Sequence, residues 1–164
     1  MSLNNTARLY FDQGKFAEAE QFYQRALNIW EKVLGPRHPN TAQSFNGLAE
    51  VRVCQGKYTE AEQLYQQALD IYEQAMGPEH PYVAISLTGL GRLYVYMKNY
   101  TQAEELLKRA LNIDDKVLGP DHPYVATILV GLAALLRDTN REAEAVKLER
   151  QIESILTVHT RENL

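Results

Sequence analysis

Apolar residues in this chain recur at helical spacing, and the spacing itself repeats. In the stretch from Tyr58 to Tyr72, Ala61, Leu64, Tyr65, Ala68, Leu69 and Tyr72 fall at i, i+3, i+4, i+7, i+8 and i+11. That pattern is one face of an amphipathic helix. The face returns as Ala19, Phe22, Tyr23, Ala26 and Leu27, as Ala103, Leu106, Leu107, Ala110 and Leu111, and more weakly as Ala145, Leu148 and Ile152. Upstream of three of these faces lies a second apolar helix, marked by Leu48 and Val51, by Leu90 and Leu93, and by Leu132 and Leu135. We call the upstream helix of each pair A and the downstream helix B.

Punctuation between the helices follows the same rhythm. The pairs Gly14-Lys15, Gly56-Lys57, Lys98-Asn99 and Asn140-Arg141 break A from B, and glycine and asparagine tolerate the left-handed conformation that ends a helix. Thr59 with Glu62 and Thr101 with Glu104 have the spacing of capping boxes that would start helix B. The segment Gly-Pro-x-His-Pro opens at Gly35, Gly77 and Gly119, a constant step of 42 residues. Its glycine suits the end of helix B, its first proline stops that helix, and its second proline suits the first turn of the next helix A. The pattern predicts helices near 2–13, 16–34, 39–55, 59–76, 81–97, 101–118, 123–138 and 142–157, in four repeats near 1–34, 38–76, 80–118 and 122–157 of one domain, 1–164. A fixed period in this range marks a repeat array, in which each unit buries its apolar face against its neighbour.

Composition adds bounds. Formal net charge is −4, so no cationic field attracts nucleic acid or an anionic membrane surface. The single cysteine, Cys54, cannot form an internal disulfide and suits a reducing compartment. With no leader pattern and no long apolar run, the reading is a soluble cytoplasmic domain.

The core pattern resembles the tetratricopeptide repeat. The second repeat carries it as Leu48, Ala49, Gly56, Tyr58, Ala61, Tyr65 and Ala68, the third as Leu90, Gly91, Tyr94, Tyr100, Ala103 and Ala110. The 42-residue period with its Gly-Pro-x-His-Pro linker is similar to the variety found in kinesin light chain and its bacterial and cyanobacterial relatives. The resemblance implies an all-α fold, a right-handed α-solenoid of antiparallel helix pairs, and a protein-protein interaction scaffold. It further implies that an extended peptide or partner helix lies in a concave groove lined by the A helices. Carried onto this chain, that groove is Asn4, Asn5, Arg8, Asn46, Glu50, Thr88, Arg92, Tyr96 and Arg137, flanked by positions such as Gln43, Cys54, Ile85, Val95, Thr127 and Val130. The asparagines could bond a peptide backbone and the arginines a carboxylate. Where such repeats often carry a second asparagine, Gly47, Gly89 and Gly131 stand, which implies close helix packing or a groove needing room.

No phosphate loop, zinc-ligand pair or nucleophile motif occurs. His38, His80 and His122 are too regularly spaced along the array to share a metal and read as linker residues bonding a carbonyl. The pairs Glu104-Glu105 and Asp114-Asp115 read as solvated surface, and most of the ten tyrosines as core. The expectation is therefore neither an enzyme nor a metal or cofactor binder. The alternative is a structural segment of a larger protein, or a short array that forms a homo-oligomer through its ends.

Overall fold

The computed structural model describes residues 2–162; Met1, Asn163 and Leu164, inside the expected domain bounds, lie outside the described residues. Those described form eight α-helices and no strand: α1 (Leu3–Asp12), α2 (Phe16–Val33), α3 (Pro39–Cys54), α4 (Tyr58–Met76), α5 (Pro81–Tyr96), α6 (Tyr100–Val117), α7 (Pro123–Asp138) and α8 (Glu142–Glu162). The all-α helical-repeat fold is the one the periodicity requires, with every expected helix in place. The helices group into two compact units, residues 1–78 and 79–164, each of two hairpins. In the first, α1 packs on α2 and α3 on α4, while α1 and α2 both touch α3; in the second, α5, α6, α7 and α8 repeat these contacts.

Each B helix buries alanines so that its partner can come close. Ala19, Ala61, Ala103 and Ala145 are fully buried, as are Ala26, Ala68 and Ala110. Whereas α3 buries the polar Thr41, Ser44 and Asn46 beside its apolar residues, the A helices α5 and α7 are apolar around most of their circumference, and α7 buries Val125, Ile128, Leu129, Leu132, Leu135 and Leu136. A helix of that kind must be covered on several sides. Burying each leucine contributes roughly 1.5–3 kcal/mol.

Two glycines set how near an A helix comes to the preceding B helix. A Cβ on Gly47 of α3 would stand 2.2 Å from the ring of Tyr23 of α2, so the ring occupies the space a side chain would need. A Cβ on Gly131 of α7 would come within 3.2 Å of Leu107 of α6. Close packing, rather than room in a groove, accounts for both.

The breaks between A and B are all of one kind. Gly14, Gly56, Lys98 and Asn140 take positive φ of 74°, 71°, 60° and 59°. The residue after each donates its N–H five residues back, Lys15 to Tyr10, Lys57 to Arg52, Asn99 to Tyr94 and Arg141 to Leu136. These are Schellman closures that satisfy the last carbonyls of helix A.

The expected capping boxes are not formed. The caps of α4 and α6 are Lys57 and Asn99, neither making a side-chain cap bond, so Thr59 and Thr101 lie inside the first turn. The tight Schellman turn delivers the chain already helical at Tyr58 and Tyr100, ahead of the threonines. Glu104 instead meets Lys108 at 2.7 Å and Arg141 at 3.1 Å, which hold its carboxyl below the usual range.

Side-chain capping belongs to the other helices. His38, His80 and His122 are the N-caps of α3, α5 and α7, each followed by proline at the first helical position. Their Nδ1 atoms accept from the N–H of Asn40, Tyr82 and Tyr124 at 3.1, 3.1 and 3.2 Å. The histidines are structural, but they accept from an orphan N–H rather than donating to a carbonyl. Tyr82 and Tyr124, which follow the His-Pro pairs, are 44% and 52% exposed, the Tyr82 ring meeting His80 edge-on and the Tyr124 ring tilted against His122.

Asp114 is a second correction. It is 2% exposed, and its Oδ1 finds no hydrogen-bond partner among the described residues. Burial, with a smaller contribution from Asp115, pushes its carboxyl up to about 6. Asp114 sits 42 residues beyond Tyr72 and 84 beyond Trp30, at one position late in helix B where the two preceding repeats carry large aromatic side chains.

Two outcomes are expected. Gly47→Ala gains about 0.5–1 kcal/mol of helix propensity but must displace the Tyr23 ring. We expect a net loss of about 1–3 kcal/mol in a denaturant titration, recovered when Tyr23→Leu relieves the contact. For Asp114 the folded value is above the unfolded one, so its contribution is full below about pH 4 and is lost as pH rises through 6. The stability of Asp114→Asn relative to the parent should therefore rise by about 2 kcal/mol between pH 4 and pH 8, measured by chemical denaturation.

Candidate functional site

In the first unit the A-helix face is built from α1 and α3. Asn4 is buried at 3% exposure and ties these helices together: its Nδ2 donates to Gln43 at 3.1 Å and its Oδ1 accepts from the Ser44 hydroxyl at 2.9 Å. Asn46 is also buried, whereas Asn5 and Gln43 are exposed. Arg8 lies over the Phe11 ring and bonds Asp12 at 3.0 Å and Glu50 at 2.7 Å. Burial works against its charge, but Glu50 and then Asp12 outweigh that and raise its pKa. Beneath this group the Tyr23 phenol is pushed up to about 12 by burial and by Glu50, so it stays neutral. The face is polar, with one cation between two acids.

In the second unit α5 and α7 present a different surface. Ile85, Tyr96 and Val130 are exposed, at 36%, 55% and 48%. Thr127 and Ala134 lie beside Val130 on the same stripe of α7, and both are exposed. Thr88 is buried, its hydroxyl donating to the Ala84 carbonyl at 2.7 Å, and Val95 faces the core at 9% exposure rather than the groove. The stem of Arg92 crosses toward α7, its Cγ 3.1 Å from where a Cβ of Gly131 would lie. Its guanidinium is exposed, and among the described residues no hydrogen bond or ion pair of Arg92 is seen.

Arg137 turns away from this surface. Its Nε and one terminal nitrogen bond Glu149 of α8 at 2.7 Å each, and Glu142 takes the third donor. These carboxylates raise its pKa, and Arg137 lowers that of Glu149.

Nine positions were expected to form a groove. Asn4, Asn46 and Thr88 are buried; Arg8, Glu50 and Arg137 are engaged with neighbouring charges; Asn5, Arg92 and Tyr96 are exposed. Ile85 and Val130, named only as flanking positions, prove as prominent as Tyr96. Period arithmetic locates helix A but cannot tell which of its polar residues bond one another across repeats. Among the described residues no three His, Cys, Asp or Glu side chains are grouped to hold a metal ion, and no helix is long and apolar enough to cross a membrane.

Comparison with known proteins agrees with the helical-repeat fold. The sequence profile described as tetratricopeptide repeat matches residues 1–74, 45–116 and 82–157. BtubC (BKLC) from P. vanneervenii superposes with a TM-score of 0.77 at 22% identity, over 96% of this chain and 63% of its own, which shows the fold. The nearly identical TPR-like repeats of a candidate kinesin light chain from Podosopora anserina superpose with a TM-score of 0.76 at 29% identity, over 95% of this chain and 74% of that one. A nucleotide-binding leucine-rich repeat (NLR)-like protein of Hyaloscypha variabilis is 46% identical over 44 residues, 27% of this chain and 4% of that protein. The chain thus spans less than two thirds of BtubC and a small part of the NLR-like protein.

The two kinds of polar residue are separable by experiment. Asn4→Ala leaves Ser44 and Gln43 short of a partner and should cost about 1–2 kcal/mol. Arg92→Ala removes an exposed side chain and should change stability by no more than about 0.5 kcal/mol. Thermal melts of the two variants check the contrast.

Proposed function

The chain belongs to the tetratricopeptide repeat family, a family of protein-interaction scaffolds, and on that premise we propose that it binds an extended peptide or partner helix along its A-helix faces. The reading is of a cytoplasmic, non-enzymatic scaffold with a protein or peptide partner. The observation that carries it is the surface of α5 and α7. Ile85, Tyr96 and Val130 leave apolar area in water there, around an arginine for which no partner is seen among the described residues. Apolar anchors beside a polar group that fixes orientation are what a peptide-binding surface requires. On α1 and α3 the charges of Arg8, Asp12 and Glu50 largely satisfy one another, so that face contributes selectivity more than affinity. With a net charge of −4, a nucleic-acid partner is disfavoured.

Selection from a random peptide display library tests the proposal. Peptides recovered on the parent protein should lose at least tenfold in affinity, about 1.4 kcal/mol, on Arg92→Glu/Tyr96→Ala, with the circular dichroism spectrum and melt unchanged. Ligands indifferent to both substitutions, or blocked by substitutions on the B helices, would sink it.

A further inference from the structure

Arg8 of α1 and Arg92 of α5 stand two repeats apart at one position of the A helix, which reads Arg8, Glu50, Arg92 and Ala134 in the 42-residue register. In the first unit that position satisfies itself. Arg8 reaches from α1 to α3 and meets Glu50 at 2.7 Å, and Asp12, one turn further along α1, bonds it at 3.0 Å.

The second unit has the same frame without either acid. α5 packs on α7 as α1 packs on α3. The stem of Arg92 crosses to α7 against Gly131, one turn before Ala134. Ala134 is exposed and stands where Glu50 stands, and the exposed Tyr96 stands where Asp12 stands. α5 contains no acidic residue, and the one acid of α7, Asp138, accepts from the Tyr100 hydroxyl at 3.3 Å. Arg92 therefore lacks both carboxylates that its counterpart has, on a surface otherwise marked by Ile85, Tyr96 and Val130.

We infer that Ala134 and Tyr96 determine the ligand preference of the α5–α7 surface. By omitting the two acids that satisfy Arg8, they open Arg92 to a carboxylate of the bound peptide, seated where Glu50 sits in the first unit. The inference rests on the reading of that surface as a peptide-binding face. Arginine takes a carboxylate through paired N–H donors in a fixed plane. Such a pair contributes little in open water, but a peptide lying over the neighbouring apolar groups shields it and strengthens it. Glu50 is the same group supplied by the chain itself. A carboxylate at position 134 would satisfy Arg92 from within and repel an incoming acid, which is selectivity by exclusion. The difference between the two faces then lies in the residues around the arginine, since both faces have one.

The test gives the second unit the acid of the first. Peptides selected on the parent protein and lost on Arg92→Glu/Tyr96→Ala are titrated against Ala134→Glu and Ala134→Gln by fluorescence anisotropy. Affinity should fall about tenfold or more on Ala134→Glu and stay within about threefold on Ala134→Gln, which adds similar bulk without charge. Replacing the peptide's aspartates and glutamates by their amides, and separately amidating its C-terminus, locates the carboxylate; one of these changes should cost as much as Ala134→Glu. Undiminished binding to Ala134→Glu, equal losses on both variants, or a peptide indifferent to both neutralisations overturns the inference and leaves the surface standing. Peptides indifferent to Arg92→Glu/Tyr96→Ala sink the surface itself, and the inference with it. Without any ligand, the carboxyl introduced by Ala134→Glu should titrate lower in carbon-13 NMR than it does in an Arg92→Ala background. Equal titration in the two backgrounds also overturns the inference.

Discussion

A tyrosine ring resting where a glycine has no side chain is the contact on which the packing of these repeats depends. Helices approach closely only where one surface yields volume to the other. In the first unit Gly47 yields it to Tyr23, and in the second Gly131 yields it to Leu107. A mid-helix glycine sacrifices about 0.5–1 kcal/mol of helix propensity, and the packing it permits outweighs that. Once the A helix is drawn in, its apolar circumference is covered from several sides, and the alanines of the B helices can be buried without cavities. Binding surface is then whatever the A helices leave outside these contacts.

The linkers position the A helices for that approach. Glycine at φ of 91–93° turns the chain out of helix B, and histidine caps the next helix through Nδ1. Proline at the first helical position has no N–H to leave unpaired. Fixing the start of each A helix fixes which residues point inward along its length. Charge is distributed with similar economy. Arg52 is held by Glu20 and Glu60, Arg141 by Glu104 and Glu144, and Arg137 by Glu149 and Glu142. Partly exposed pairs of this kind contribute little each, but they occupy the arginines. Arg92 is left as an exposed cation on an apolar surface.

Much of the fold could be read from residue order. Period-3.6 apolar faces, helix-breaking pairs and a proline-flanked linker at constant spacing located seven helices to within a residue at each end, because these signals are local and mutually consistent. The eighth, expected to end at 157, runs to Glu162, since no glycine or proline interrupts residues 158–162. Local reasoning failed where the outcome hung on a competing neighbour. Thr59 and Thr101 have capping-box spacing, but the preceding turn starts the helix before them. Asp114 beside Asp115 looks solvated, although its register with Trp30 and Tyr72 marked it for burial. Asn4 looks like a ligand-binding amide, yet it is used up by Gln43 and Ser44, some forty residues away.

By itself, then, the order of residues determined the helix count, the pairing and the repeat, all of which rest on backbone preferences and on periodicity along one chain. Only tertiary structure decided which polar side chains are free to meet a partner. Arg8, Arg92 and Arg137 are chemically the same and stand on similar helices, but one is shared by Asp12 and Glu50, one is captured by α8, and one reaches water across a glycine. That difference arises from distances between helices, which no single segment of the chain encodes.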